Sequence, residues 1–257
     1  IVLFRGSAPI GVGVCIMTVP FDFFQLNATT AQTKSQLSPN EAKAQFIAKF
    51  KLVARYHCRY EVYCDFIRLA ANNLDAFSLK SEKGIKESAQ IRSRYKEEDL
   101  FQMNQLCSLL MDAMAGELQD LLGSIFMSLE LGNKDLSQYF TPFYLSELII
   151  ALCFEQCEKL QHKPFIEMNE PTCGSGGMII AAAKHLLAQG YNPQQVLVSV
   201  CTDIDPLVAD MCFIQLALFG LPAVVYTGNT LTLEMNKVRY TPMWHFGNWF
   251  ERLDIAK

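Results

Sequence analysis

The chain has 257 residues, 51% of them hydrophobic, and a formal net charge of −4. This apolar content supports a sizeable core and excludes a disordered chain, and the length suits one large domain or two small ones. The weakly negative balance excludes an overall electrostatic footprint for nucleic acid, so a DNA contact would have to run through a local patch or a partner subunit.

Residues 1–24 are predominantly apolar with one basic residue, Arg5, but Pro9, Gly11, Gly13, Pro20 and Asp22 interrupt them. No run reaches the roughly 18 to 20 apolar residues of a membrane span, and no membrane role is expected. Met17 is the first methionine, and residues 1–16 are read either as preceding the structured protein or as the remnant of a misassigned start. Residues 1–37 are expected as a poorly ordered leader and linker. Nine cysteines (15, 58, 64, 107, 153, 157, 173, 201 and 212) form no Cys-x-x-Cys pair, and no histidine stands at zinc-ligand spacing from them. That pattern predicts reduced thiols in a cytoplasmic protein, with no metal and no disulfide framework.

Ser38-Pro39-Asn40-Glu41 combines an N-cap serine, a proline at the first helical position and the glutamate of a capping box. Phe46, Phe50, Val53, Ala54, Tyr60, Tyr63, Ile67, Leu74 and Phe77 then keep helical spacing, predicting helix through to about Phe77. Lys49, Lys51, Arg55, Arg59 and Arg68 lie along it and read as a solvated face, with phosphate contact as the alternative. A charged break is expected at Lys80 to Glu87. One apolar stripe over Leu100 to Leu131 follows, so residues 38–131 are expected to form an all-helical domain.

Gly132-Asn133 ends the stripe. Leu136-Ser137-Gln138-Tyr139-Phe140-Thr141-Pro142 is then expected to be extended, because Pro142 pushes Thr141 out of helical geometry. Helix is expected from Phe143 to Cys157. The chain next alternates strand and helix: a strand at Phe165 to Met168, a turn and helix at Asn169 to Leu187, a strand at Val196 to Cys201, a helix at Leu207 to Phe219, and a short strand at Ala223 to Tyr226. Such alternation predicts an α/β domain with a parallel sheet over residues 132–257.

The turn Glu170-Pro171-Thr172-Cys173-Gly174-Ser175-Gly176-Gly177-Met178 is the candidate ligand site. Its spacing is Gly-x-Gly-Gly, with Ile179 where a third dinucleotide glycine would stand, which disfavours a nicotinamide cofactor. Ligands of open parallel sheets sit at the carboxyl ends of the strands. There the glycines would admit the ligand, and the following helix N-terminus could receive a carboxylate. Asp203, with Asp205 as the second choice, could accept from ribose hydroxyls, and Asn229 could recognise an adenine edge. Each also has a plainer role: the aspartates as helix caps, Asn229 as a turn residue. Together they describe S-adenosylmethionine.

Gln138-Tyr139-Phe140-Thr141-Pro142, the Glu170 to Met178 string, Thr202-Asp203-Ile204-Asp205 and Gly228-Asn229-Thr230-Leu231 resemble the adenine-specific DNA methyltransferases of the type I restriction-modification modification-subunit family. The resemblance covers roughly residues 118 to 231, and the helical module fits that family's N-terminal domain. It implies a Rossmann-like methyltransferase fold and S-adenosylmethionine contacts from Tyr139, Phe140, Thr141, Pro142, Glu170, Gly174, Ser175, Gly176, Asp203 and Asn229. The family usually has Asp where this chain has Glu170 and Asn229; Asn229 is read as keeping an acceptor for the adenine amine. The family's Asn-Pro-Pro-aromatic motif, whose oxygens accept the protons of a flipped adenine's amine while the ring stacks on the base, is absent.

Thr241-Pro242-Met243-Trp244 is the nearest substitute. It implies Thr241 and the Pro242 carbonyl as acceptors and Trp244 as the stacking ring; alternatively Tyr240, Trp244, Phe246, Trp249 and Phe250 simply cover a sheet. About 26 residues follow Leu231, so part of the later strands of the fold is expected to be missing. The implied function is S-adenosylmethionine-dependent methylation of adenine in DNA, with DNA reached through a partner specificity subunit and the chain in a homo- or hetero-oligomer. A catalytically silent cofactor-binding protein derived from that family is the alternative.

Overall fold

The computed structural model describes residues 37–75, 81–131, 140–153, 160 and 164–255. The readings of residues 1–36, Phe77, Lys80, Gly132 to Tyr139 and Phe154 to Cys157 lie outside the described residues. The chain divides into two compact units, one of residues 1–117 with 128–131, the other of residues 118–127 with 132–257.

The first unit holds α1 (Pro39–Phe50), α2 (Arg59–Leu74), α3 (Glu82–Arg92) and α4 (Glu97–Met114). The capping box forms: Ser38 N–H donates to Glu41 Oε2 at 2.9 Å while Ser38 Oγ accepts from Glu41 N–H. Helix does not run on to Leu74 without a break. Residues 51–57 make a turn in which Ala54 takes φ of 44°. Arg59 holds that turn by donating to the carbonyls of Val53 (2.6 Å) and Ala54 (2.5 Å). Asp99 closes it from α4, accepting from Ala54 N–H at 2.8 Å and the Tyr56 hydroxyl at 2.6 Å. Apolar periodicity survives the break because both helices bury into one cluster, where Phe46 and Phe66 meet edge to face at 5.6 Å and Phe50 and Tyr63 at 5.7 Å. The charged stretch read as a break contains the start of α3, capped by Ser81, whose Oγ accepts from Gly84 N–H at 3.0 Å.

The second unit begins with α5 (Leu121–Ser128), so the stripe expected over Leu100 to Leu131 is two helices separated at residues 115–120. α6 (Phe143–Cys153), β1 (Ile166–Glu170), α7 (Gly177–Ala188), α8 (Pro193–Val196), β2 (Leu197–Asp203), α9 (Pro206–Leu218), β3 (Ala223–Asn229), β4 (Glu234–Tyr240), α10 (Pro242–Phe246) and α11 (Trp249–Ile255) follow. The sheet order is β1-β2-β3-β4. β1, β2 and β3 are parallel as expected, whereas β4 runs antiparallel to β3. The connection of residues 230–233 is long enough for a hairpin, while a parallel return needs a crossover of about a dozen residues or more. Gly228 is required at this hairpin, since a side chain there would collide with the Glu234 backbone.

α7 and α9 pack on one face of the sheet. On the other, Phe165, Val198, Val224, Trp244 and Trp249 form a core against which Tyr226, Tyr240 and Leu253 pack. A buried ion pair ties the antiparallel strand to α9: Arg239 Nε donates to Asp210 Oδ1 at 2.9 Å, with the guanidinium 5.3 Å over Phe213. No helix among the described residues is long and apolar enough to cross a membrane.

Candidate functional site

The strand register brings the carboxyl ends of β1, β2 and β3 to one edge, since Glu170 pairs with Cys201 and Asp203 with Thr227. Between β1 and α7 the chain turns sharply, with Gly174 at φ of 55° and Gly176 at 94°. Both conformations favour glycine. A side chain on Gly176 would also press within 3.1 Å of Cys212 Sγ. The turn is pinned to β2 twice: Cys173 N–H donates to Thr202 O at 2.8 Å, and Gly174 N–H to Asp203 Oδ2 at 2.9 Å. It is pinned to the end of β3 by Thr230, whose hydroxyl donates to Pro171 O at 2.7 Å.

Phe140 lies over the turn, its ring 3.8 Å from where a Gly174 Cβ would stand and 5.4 Å from the Phe126 ring, edge to face. Thr141 and Pro142 are exposed just before α6, whose first turn is set by Leu145 N–H donating to Pro142 O at 2.8 Å. Tyr139 lies outside the described residues.

The edge is acidic. Burial pushes the Glu170 carboxyl above its ordinary pKa, with repulsion from Asp203 adding to it. Burial likewise raises Asp203, against the lowering effect of the Asp205 and Gly174 N–H groups it accepts from. Asp205 caps α9, its Oδ1 accepting from Leu207 N–H at 2.8 Å. Asn229 makes a turn: its Oδ1 accepts from Leu231 N–H at 2.9 Å and from Thr232 N–H at 3.4 Å. The oxygen expected to accept from an adenine amine is therefore engaged, and what Asn229 offers outward is its amide N–H.

Ser175 departs from its expected role as a ligand contact. It is 2% exposed, and its hydroxyl points inward to donate to Asp120 Oδ2 at 2.6 Å. Asp120 Oδ1 accepts from Gln215 Nε2 at 2.8 Å and from Gly123 N–H at 2.9 Å, so α5, the glycine turn and α9 meet on one carboxylate. Beneath the turn, the thiols of Cys173, Cys201 and Cys212 hydrogen-bond among themselves. The neighbouring thiols hold the Cys201 pKa below the ordinary thiol value and, with burial, push Cys212 and Cys173 above it.

The catalytic assignment to Thr241, Pro242 and Trp244 is corrected by the sheet. β4 pairs Tyr240 with Val224, at the start of β3, so these residues stand at the opposite end of the strands from the glycine turn. Thr241 is fully buried, its hydroxyl donating to Leu221 O at 2.8 Å and accepting from Ala223 N–H at 2.9 Å. Trp244 is 4% exposed within the aromatic core and presents no open ring face to a base. Pro242 begins α10 at its first position, where proline's fixed φ suits helix entry.

Residues 120–245 match the family described as N-6 DNA Methylase. This segment belongs to that family. No curated protein matches the chain. Among solved structures, the methyltransferase subunit of a type I restriction-modification system from Streptococcus thermophilus is 12% identical with a TM-score of 0.39, covering 72% of this chain and 56% of that one. A Listeria monocytogenes protein described as a class I S-adenosylmethionine-dependent methyltransferase is 16% identical with a TM-score of 0.37, covering 72% and 52%. The chain thus spans about half the length of the two structures.

The N-6 DNA methylase segment opens at Asp120, the residue that joins α5 to the glycine turn. The compact units divide between residues 117 and 118, with 128–131 in the first, and α5 is tied to the glycine turn and α9 through Asp120 and Gln215. Asp120 and Gln215 went unnoticed in the sequence. Asp120 had a legible signal as an acidic N-cap before an apolar run; Gln215, inside an apolar helix, had none beyond being polar there.

Proposed function

We propose that the edge formed by Phe140, Glu170, Gly174, Gly176, Asp203 and Asn229 binds S-adenosylmethionine, and that this chain is the cofactor-binding half of an adenine-specific DNA methyltransferase of the type I restriction-modification kind. The observation that carries the reading is the joint geometry of the turn: two left-handed glycines, the first under the Phe140 ring, held by Gly174 N–H on the carboxylate at the end of β2. Gly174 and Gly176 let the turn take left-handed φ while packing against Phe140 and Cys212, which fixes the edge that would face the ligand. The partly buried Glu170 and Asp203 suit a ligand that carries ammonium and sulfonium charge and ribose hydroxyls. The Asp203 carboxylate accepts backbone hydrogen bonds from Gly174, Asp205 and Ile204 and keeps acceptor capacity beyond them. The Asn229 amide N–H suits a ring nitrogen of adenine. Bound S-adenosylmethionine would supply an electrophilic methyl group.

The amine of adenine becomes nucleophilic only when oxygens accept its protons. Thr241 faces the wrong end of the strands for that role, so acceptors and base-stacking ring are assigned to structure beyond this segment. β1 pairs with β2 alone among the described residues, leaving its other edge for that structure. DNA contact through a partner specificity subunit follows from the same division, and fits a chain of net charge −4.

Calorimetric titration with S-adenosylmethionine, for the wild type and Gly176→Val, tests the binding. Saturable binding that the variant loses supports it; no binding by the wild type sinks it. Transfer of a labelled methyl group to adenine in DNA, with and without a specificity subunit, tests the rest. Binding without transfer under either condition would favour a silent cofactor-binding protein, a reading that the buried Thr241 hydroxyl also supports.

A further inference from the structure

Glycine turns that open a helix commonly receive phosphates, because the first N–H groups and the helix dipole attract anions. In this chain a carboxylate of the protein stands beside the first turn of that helix. Asp120 is 6% exposed, and its Oδ2 lies 3.7 Å from the position of a Cβ on Gly177, the first residue of α7. The same Oδ2 accepts the Ser175 hydroxyl at 2.6 Å, from within the turn. Oδ1 accepts from Gly123 N–H of α5 and from Gln215 Nε2 of α9. Gln215 is fully buried and locks the arrangement, its Oε1 accepting from Leu122 N–H at 3.0 Å and its Nε2 also donating to Ser175 O at 2.7 Å. The donors to Asp120 are a backbone N–H, an amide and a hydroxyl, none of them a cation. On the outer side of the turn stand the carboxylates of Glu170 and Asp203.

We propose that Asp120 is a specificity-determining positioning residue: from inside the turn it fixes Ser175, sets a carboxylate beside the first turn of α7, and so selects a cationic adenosyl ligand over a nucleotide that carries phosphate. It touches no ligand itself. The proposal rests on the S-adenosylmethionine reading and adds the reason for the ligand's charge. Asp120→Asn keeps one acceptor for Gln215 and Gly123, and its amide N–H can donate to the Ser175 oxygen, so the fold is retained while the charge goes. Ser175→Ala keeps the charge and removes the tether.

The test is calorimetric affinity for S-adenosylmethionine and for ADP, which shares adenine and ribose but carries phosphate, with thermal midpoints recorded for each protein. The wild type is expected to bind S-adenosylmethionine and reject ADP. Asp120→Asn is expected to weaken the former about tenfold and strengthen the latter, narrowing the selectivity. Ser175→Ala is expected to weaken S-adenosylmethionine without admitting ADP, a split that loss of stability alone would not produce. Wild-type binding of ADP as tight as that of S-adenosylmethionine overturns the proposal without any variant. So does an Asp120→Asn protein with unchanged selectivity, which leaves the cofactor reading intact. A wild type that binds neither ligand removes the cofactor reading and this proposal with it.

Discussion

The two ends of the same strands have opposite characters. At the carboxyl ends of β1, β2 and β3 lie left-handed glycines, partly buried carboxylates and an amide. At the start of the strands, Phe165 and Trp249 meet edge to face at 5.1 Å, and the Arg252 guanidinium lies 3.7 Å over the Trp249 ring. One end gathers polar and acidic groups and the other excludes water. Residues resembling a catalytic motif fall at the second end, where burial gives them a packing task.

Substitutions at the two ends should therefore separate binding from stability. The largest effect is expected at Gly176→Val, which demands a left-handed β-branched residue against Cys212 Sγ; S-adenosylmethionine binding should fall below detection by calorimetry. Trp249→Ala, at a position 0% exposed, should cost about 3–5 kcal/mol of stability, read from denaturant unfolding. At temperatures where that variant stays folded its affinity for the cofactor should match the wild type, and a parallel loss of affinity would break the comparison. Asp203→Ala removes the acceptor of Gly174 N–H and should weaken binding about tenfold with a smaller change in stability.

Thr241→Val unpairs Leu221 O and Ala223 N–H, costing about 1–3 kcal/mol of stability. It should leave binding and any methyl transfer per folded molecule unchanged; selective loss of transfer would restore Thr241 to the chemistry. The smallest effect is that of pH. Because burial raises Glu170 and Asp203, the folded chain holds their protons more tightly than the unfolded one. Their contribution to stability is full below the unfolded values near about 4 and declines as pH rises through the folded values. A cationic ligand favours the ionised forms, so its affinity should rise over that same window. Affinity flat across it, measured beside denaturant unfolding, would detach the two carboxylates from the ligand.

Features carried by adjacent residues were legible in the sequence. Ser38 and Glu41 close their box within four residues, and Gly174 and Gly176 mark a turn that few other residues could make. The strands at residues 166, 197 and 223 begin within one residue of their expected positions, because apolar runs flanked by turn residues are local signals. The interruption of the first helix was hidden: Phe50, Val53 and Ala54 keep a helical period, and Arg59 and Asp99 reach in from elsewhere to satisfy the freed backbone. Leu121 continued an apolar stripe that α4 had already ended, which concealed the boundary at α5.

The sequence by itself determined that the chain would pair a helical part with an α/β part, where its glycine turn would stand, and which family its middle resembled. These follow from local propensity, glycine stereochemistry and motif order. Tertiary structure decided the direction of β4, the inward aim of Ser175 onto Asp120, and the burial of Thr241 and Trp244. Strand direction depends on a four-residue connection read together with its partner strand, and a side chain's task depends on which groups, up to about a hundred residues away as with Asp120 and Gln215, fold up against it.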